Sequence, residues 1–154
     1  MMKKILFLSI CVIALVSCGS SGGAIDHKSQ VGIKGNWTIT QVTYPGSEYI
    51  KVTSFDVADS QCFVGSSWKF VSNNNTGTME INKAGCPSFS SPIIWTVTKE
   101  GTYSLKITEG QKGKNVTQGY FLKVQNQTET SFDLIDNVSV GGKSVDVVYH
   151  FQKV

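Results

Sequence analysis

From Gly35 onward the chain alternates apolar and polar residues with a period of two. In Gly35 to Tyr44, Trp37, Ile39 and Gln41 fall on one face and Asn36, Thr38 and Thr40 on the other. That is the pattern of a strand with one buried side. It returns in Trp68 to Val71, Thr78 to Asn82, Ile93 to Thr98, Tyr103 to Ile107, Val116 to Gln125, Phe132 to Ile135 and Val145 to Gln152. Turn material separates these runs: Ser72 to Gly77, Glu100-Gly101, Gly110 to Lys114 and Gly141-Gly142. No 3.6-residue period and no fixed-length repeat occurs. Eight short strands with one apolar face each predict an all-β fold. Since closure removes exposed strand edges, the expected form is an eight-stranded antiparallel up-and-down β-barrel. Such a barrel is filled by side chains or holds one small ligand.

One connection is longer than the rest. Pro45 to Gln61 spans seventeen residues, and Tyr49, Ile50, Val52, Phe55 and Val57 give it enough apolar surface to fold back over a barrel opening. Asp56 and Asp59 lie in it without a third ligand at a metal-binding spacing, so they read as solvated turn carboxylates and no metal is expected. Cys62 and Cys86 are centred on residue 74, the middle of the Asn-rich turn. In an antiparallel hairpin, residues equidistant from the turn face each other, so the two thiols meet at its open end. A redox pair would favour Cys-x-x-Cys, and zinc would need more ligands; a structural disulfide is the expected state in an exported chain.

Export is written at the N-terminus. Lys3-Lys4 precede an apolar run from Ile5 to Val16 that would reach only ~18 Å as a helix, too short to cross a bilayer. The run ends in Leu15-Val16-Ser17-Cys18, which resembles the lipobox of bacterial lipoprotein signals. That resemblance implies a signal peptide over 1–17, acylation of Cys18 (diacylglycerol and palmitate), and a membrane attachment through lipid. Residues 18–32 are small and polar and read as a tether, with His27 solvated in it. Gly at position 19 and the lack of acids in 19–25 point to an outer-membrane lipoprotein facing the periplasm. The ordered domain is expected over 33–154.

Composition narrows the chemistry. Removing the leader leaves 12 lysines against 11 acids, a net charge of +1, and there is no arginine. A near-neutral surface without the residue best suited to bidentate phosphate recognition gives no case for nucleic acid. Of the two histidines, His150 shares a face of the last strand with Asp146 and reads as exposed. No nucleophile elbow, phosphate loop or histidine-rich metal motif occurs, so no catalytic residue, enzyme activity or cofactor is expected.

Gly35-Asn36-Trp37 opening the first strand looks like the Gly-x-Trp signature of lipocalin-type barrels. One Cys before a Trp-x-Phe strand, a second after the next strand, then a Trp-containing strand resembles the lipocalin-like domains of bacterial lipoproteins. The resemblance covers residues 33 to 154 and implies a monomeric barrel open at one end, with Trp37 near the closed end. The family's companion arginine on the last strand has no counterpart. Lys153 is positioned to cover the Trp37 ring instead. Two functions follow. Trp68, Trp95, Tyr103 and Tyr120 are candidates to line a cup for a small hydrophobic or amphipathic ligand. The alternative is a protein-binding module, an envelope-complex subunit or an enzyme inhibitor, with a filled barrel and a working surface on the 45 to 61 loop.

Overall fold

The computed structural model describes residues 25–47 and 50–154. The span read as a signal peptide, the expected acylation site Cys18 and the first part of the span read as a tether lie outside the described residues, as does Tyr49. A short helix α1 (His27–Ile33) precedes ten strands: β1 (Gly35–Thr43), β2 (Thr53–Ser54), β3 (Ala58–Asp59), β4 (Ser67–Val71), β5 (Thr76–Ile81), β6 (Phe89–Val97), β7 (Thr102–Ile107), β8 (Tyr120–Gln125), β9 (Ser131–Val140) and β10 (Lys143–Lys153). Eight of them close a barrel in the order β1-β10-β9-β8-β7-β6-β5-β4, every neighbour antiparallel. This is the expected up-and-down architecture; β2 and β3 form a separate two-stranded insert between β1 and β4.

The alternation places one buried residue at every second position, as in β4 and β5, where Trp68, Phe70, Met79 and Ile81 are all buried. β1 departs from the simple pattern. Its register shifts between Ile39 and Gln41, a bulge that moves Gln41 to the surface and turns Val42 inward. Gln41 therefore does not share the inner face with Trp37 and Ile39, and an apolar residue takes its place. Tight turns close the hairpins where the sequence allows positive φ: Gly141 and Gly142, at φ 58° and 79°, join β9 to β10 as a two-residue loop.

Residues 26–32, inside the span read as tether, are folded. Asp26 caps α1, its side chain accepting from Lys28 N and from Ser29 Oγ (2.6 Å), and Gln30 and Ile33 are buried against the barrel. The helix closes one end. There the Trp37 indole donates to the Ile33 carbonyl (2.7 Å), its ring meets Phe132 edge-on at 4.7 Å, and Lys153 Nζ sits 5.4 Å above it. The lysine stem explains Gly35. At φ 123°, with Lys153 Cε 3.3 Å from where a Cβ would stand, the position admits only glycine without rearrangement.

The other end is plugged. The β1–β4 connection turns back into the barrel and inserts Phe55 and Phe63, both buried, with Val52 and Ala58. Phe63 packs against Trp68 and Tyr149, and Phe55 stacks on Tyr149 at 5.4 Å. Polar anchors fix the insert: Ser54 and Tyr149 share a 2.5 Å hydroxyl hydrogen bond, and Tyr44 pairs with Ser60. Cys62, in a 3-10 turn (Ser60–Phe63), is disulfide-bonded to Cys86. The pairing is the expected one, although the hairpin register, with Ser67 opposite Glu80, is centred between residues 73 and 74 and Cys62 belongs to the plug. The bond thus ties the inserted loop to the far side of the β4–β5 hairpin.

Candidate functional site

The four aromatics expected to line a cup do not come together. Trp95 and Tyr103 lie toward the helix-capped end, rings stacked 6.1 Å apart, with the Trp95 indole donating to the Thr76 carbonyl (2.8 Å). Trp68 starts nearer the plug, yet it is sealed between Phe63, Phe70 and Phe151 and donates to Ser66 Oγ (2.8 Å). Parity along a strand fixes which side chains point inward; height along the barrel depends on register, and here register carries three of the four into a packed core. Tyr120 reaches an opening at the plugged end.

That opening is a groove of about 330 Å³ at the plugged end, between the inserted loop and the β7–β8 connection. Phe55, Asp56 and Val57 form one wall, and Ile107 to Glu109, Gln111 and Asn115 to Gln118 the other, with Tyr120 between them. Val116 to Gly119, expected as strand, is instead part of this connection, because β8 begins at Tyr120. The Tyr120 hydroxyl donates to the Phe55 carbonyl (2.7 Å) and lies 3.4 Å from Asp56 Oδ2, which also accepts from Gln118 Nε2 (2.5 Å). Three of the five non-glycine residues with positive φ among the described residues, Phe55, Asp56 and Glu109, line the groove. Left-handed backbone at Phe and Glu is costly, and such positions gather where surrounding structure over-determines them.

Electrostatics at this end are negative. Asp136, on the inward parity of β9 between Leu134 and Val138, has no hydrogen-bond or ion-pair partner among the described residues, and burial raises its pKa. Burial, then Asp56, then Asp136, pushes the Tyr120 phenol up to about 12. Burial likewise raises Tyr149, against the lowering effect of its bond to Ser54. A carboxyl whose folded pKa is raised stabilises the fold only while protonated, and that contribution is lost as pH rises through the folded value. Asp136→Asn should therefore raise the urea midpoint at pH 7, with the gain over the parent chain shrinking as pH falls into the carboxylate range. A lower midpoint at pH 7 would show that the carboxylate has a stabilising partner.

Tyr103 carries the opposite lesson for a core position. Its buried hydroxyl has no partner, and burial holds the phenol well above its usual pKa. Tyr103→Phe removes an unsatisfied polar atom without opening a cavity, so we expect stability unchanged or higher by up to about 1 kcal/mol, measured by denaturant melting.

The loop acids are not simply solvated turn carboxylates: Asp59 caps the 3-10 turn through Gln61 N (2.9 Å), and Asp56 faces the groove and accepts from Gln118. His27 is exposed. His150 is not the free surface residue its pattern suggests. It bridges three strands, Nδ1 2.8 Å from Asp133 Oδ1 and Nε2 2.9 Å from Thr43 Oγ1, while Asp146 pairs with Asn137 (2.7 Å). The hydroxyl–imidazole–carboxylate row lies along the outer face of the sheet and serves as a cross-strand tie.

Sequence reasoning missed Phe63, the deepest residue of the plug. An aromatic directly after Cys62 in a loop carries no periodic signal, and only the neighbouring cysteine hints that the segment is pinned. A scan against protein-family models and searches of curated proteins and of solved structures returned no significant match to the chain.

Proposed function

We propose that the protein is a lipid-anchored, lipocalin-like envelope protein whose barrel is a solid scaffold and whose plugged end docks a protein partner. The observation that carries this reading is the filled interior: Phe55 and Phe63 occupy the volume a cup would need, which leaves the surface to do the binding. Orientation supports it. The chain enters the barrel at the helix-capped end, where Ile25 pairs with Thr98 and Asp26 N donates to the Val97 carbonyl (2.8 Å). Seven residues from an acylated Cys18 to Ile25 span at most about 25 Å, so the helix-capped end would face the membrane and the groove would face away from it. Lys153 over Trp37 supports kinship with lipocalin-like barrels through a lysine in place of the family arginine. The protein acts without a cofactor, as a monomer on the periplasmic face of the outer membrane, and catalyses no reaction.

A second reading has the groove itself in its favour: its 330 Å³ would admit a small amphipathic molecule against Phe55 and Tyr120, though not a lipid chain inside the barrel. A photo-crosslinking residue at Val116, in cells producing the full-length protein, tests the docking reading, with exposed Lys69 on the outer wall as control. Crosslinks to a protein from Val116 and none from Lys69 are expected. Equal yields from both positions, or none, would overturn it. Palmitate labelling that survives Cys18→Ser would overturn the anchor.

A further inference from the structure

We propose that the groove at the plugged end receives a lysine or arginine side chain of the partner protein, its methylene stem against Val57, Ile107 and Val116 and its cationic head between Asp56 and Glu109. The inference rests on the docking reading above and names the chemistry of the contact.

Charge complementarity argues for it. Asp56 and Glu109 line the groove, whereas none of the twelve lysines outside the leader does, in a chain whose charges otherwise nearly cancel. Tyr120 and Gln118 both meet Asp56 at Oδ2, which leaves Oδ1 without a partner among the described residues. Glu109 is held in position by its backbone, whose N–H donates to Ser91 Oγ (2.8 Å), while its carboxylate makes no hydrogen bond or ion pair among the described residues. Asp136 adds a third negative charge near Tyr120. The basic residues nearby do not fill the site: Lys106 turns its Nζ to the Val116 carbonyl (3.1 Å), and Lys112 and Lys114 are exposed on the same connection, outside the lining. A largely polar groove that carries two carboxylates, with Val57, Ile107 and Val116 also in its lining, matches an amphipathic cation, which lays its stem on the apolar residues and keeps its head paired. A groove of this volume holds one or two side chains, the scale of a single anchoring residue in an interface.

The test is a titration of the isotope-labelled mature chain, followed by amide chemical shifts. The probes are Nα-acetyl-lysine methylamide and Nα-acetyl-arginine methylamide, with the norleucine analogue as neutral control. Saturable shifts are expected for the two cations at residues 55–57, 107–111 and 115–120. Affinity should be at least tenfold weaker in both Asp56→Asn and Glu109→Gln, singly; asparagine tolerates the positive φ at position 56. Norleucine binding as well as lysine, or an unchanged affinity in both variants, would overturn the inference. A Val116 crosslink to a protein with no response to either cation would overturn the basic side chain and leave docking intact. Cation-specific shifts without that crosslink would overturn the protein source and assign the groove to free amines.

Discussion

Phe63→Ala should destabilise the protein by about 3–5 kcal/mol, the largest single-residue effect expected in the chain. Phe63 is fully buried and meets Phe55, Trp68 and Tyr149, rings contributed by the insert and by two walls of the barrel. Truncation removes the transfer energy of the ring and leaves a void between rigid strands that cannot collapse into it. The effect should also be specific. Phe55 would lose its edge-on partner, and the insert its deepest anchor, so a cup would open where none exists in the parent. We expect the variant, and not the parent, to bind an apolar fluorophore such as 1-aminoanthracene with a saturable fluorescence increase. Denaturant melting and this titration check the two halves. A loss below about 1 kcal/mol would mean that Phe63 is not seated in the barrel.

Removal of the disulfide is expected to rank next. Cys62→Ser with Cys86→Ser frees a loop with a sequence separation of 24, which the chain-entropy model values at roughly 3 kcal/mol, or ~10 °C in Tm for a domain of this size. Because Cys62 lies in the turn that also holds Phe63, we expect hydrogen exchange to rise in the 50–66 segment more than in β9 and β10. A uniform rise across the barrel would place the bond's effect wholly in the unfolded chain. Calorimetry with and without a reductant gives the same comparison on the unmodified sequence.

The barrel was legible because a strand with one wet face must alternate, and each of its eight strands does so over most of its length. The exceptions are informative. β9 runs to Val140, yet its pattern stops at Ile135 because Asp136 occupies an inward position where an apolar residue is expected. The same carboxylate turned out to be part of the negative end of the molecule. Gln41 sits at a position whose parity a bulge reverses, and no local signal marks a bulge of this kind. Helix α1 has seven residues and no apolar stripe; it forms because Asp26 caps it, because Gln30 reaches the Ser72 carbonyl 42 residues away, and because Ile33 is buried in the core. The candidate site was legible only in part. The long loop, its apolar residues and Tyr120 were visible as pieces, whereas the plug depends on which end of the barrel the loop enters. Trp95 and Tyr103 were misplaced as cup residues for the same reason: composition and parity say that an aromatic is inside, and only the register says how deep.

Native mass spectrometry of the chain from Ile25 onward, exported to an oxidising compartment and purified without detergent, tests the solid-barrel claim most directly. The account predicts the bare polypeptide mass less two protons for the Cys62–Cys86 bond. A bound apolar molecule too large for the 330 Å³ groove, such as a lipid chain, that leaves on denaturation would contradict it, since the barrel interior admits none unless Phe55 and Phe63 are displaced.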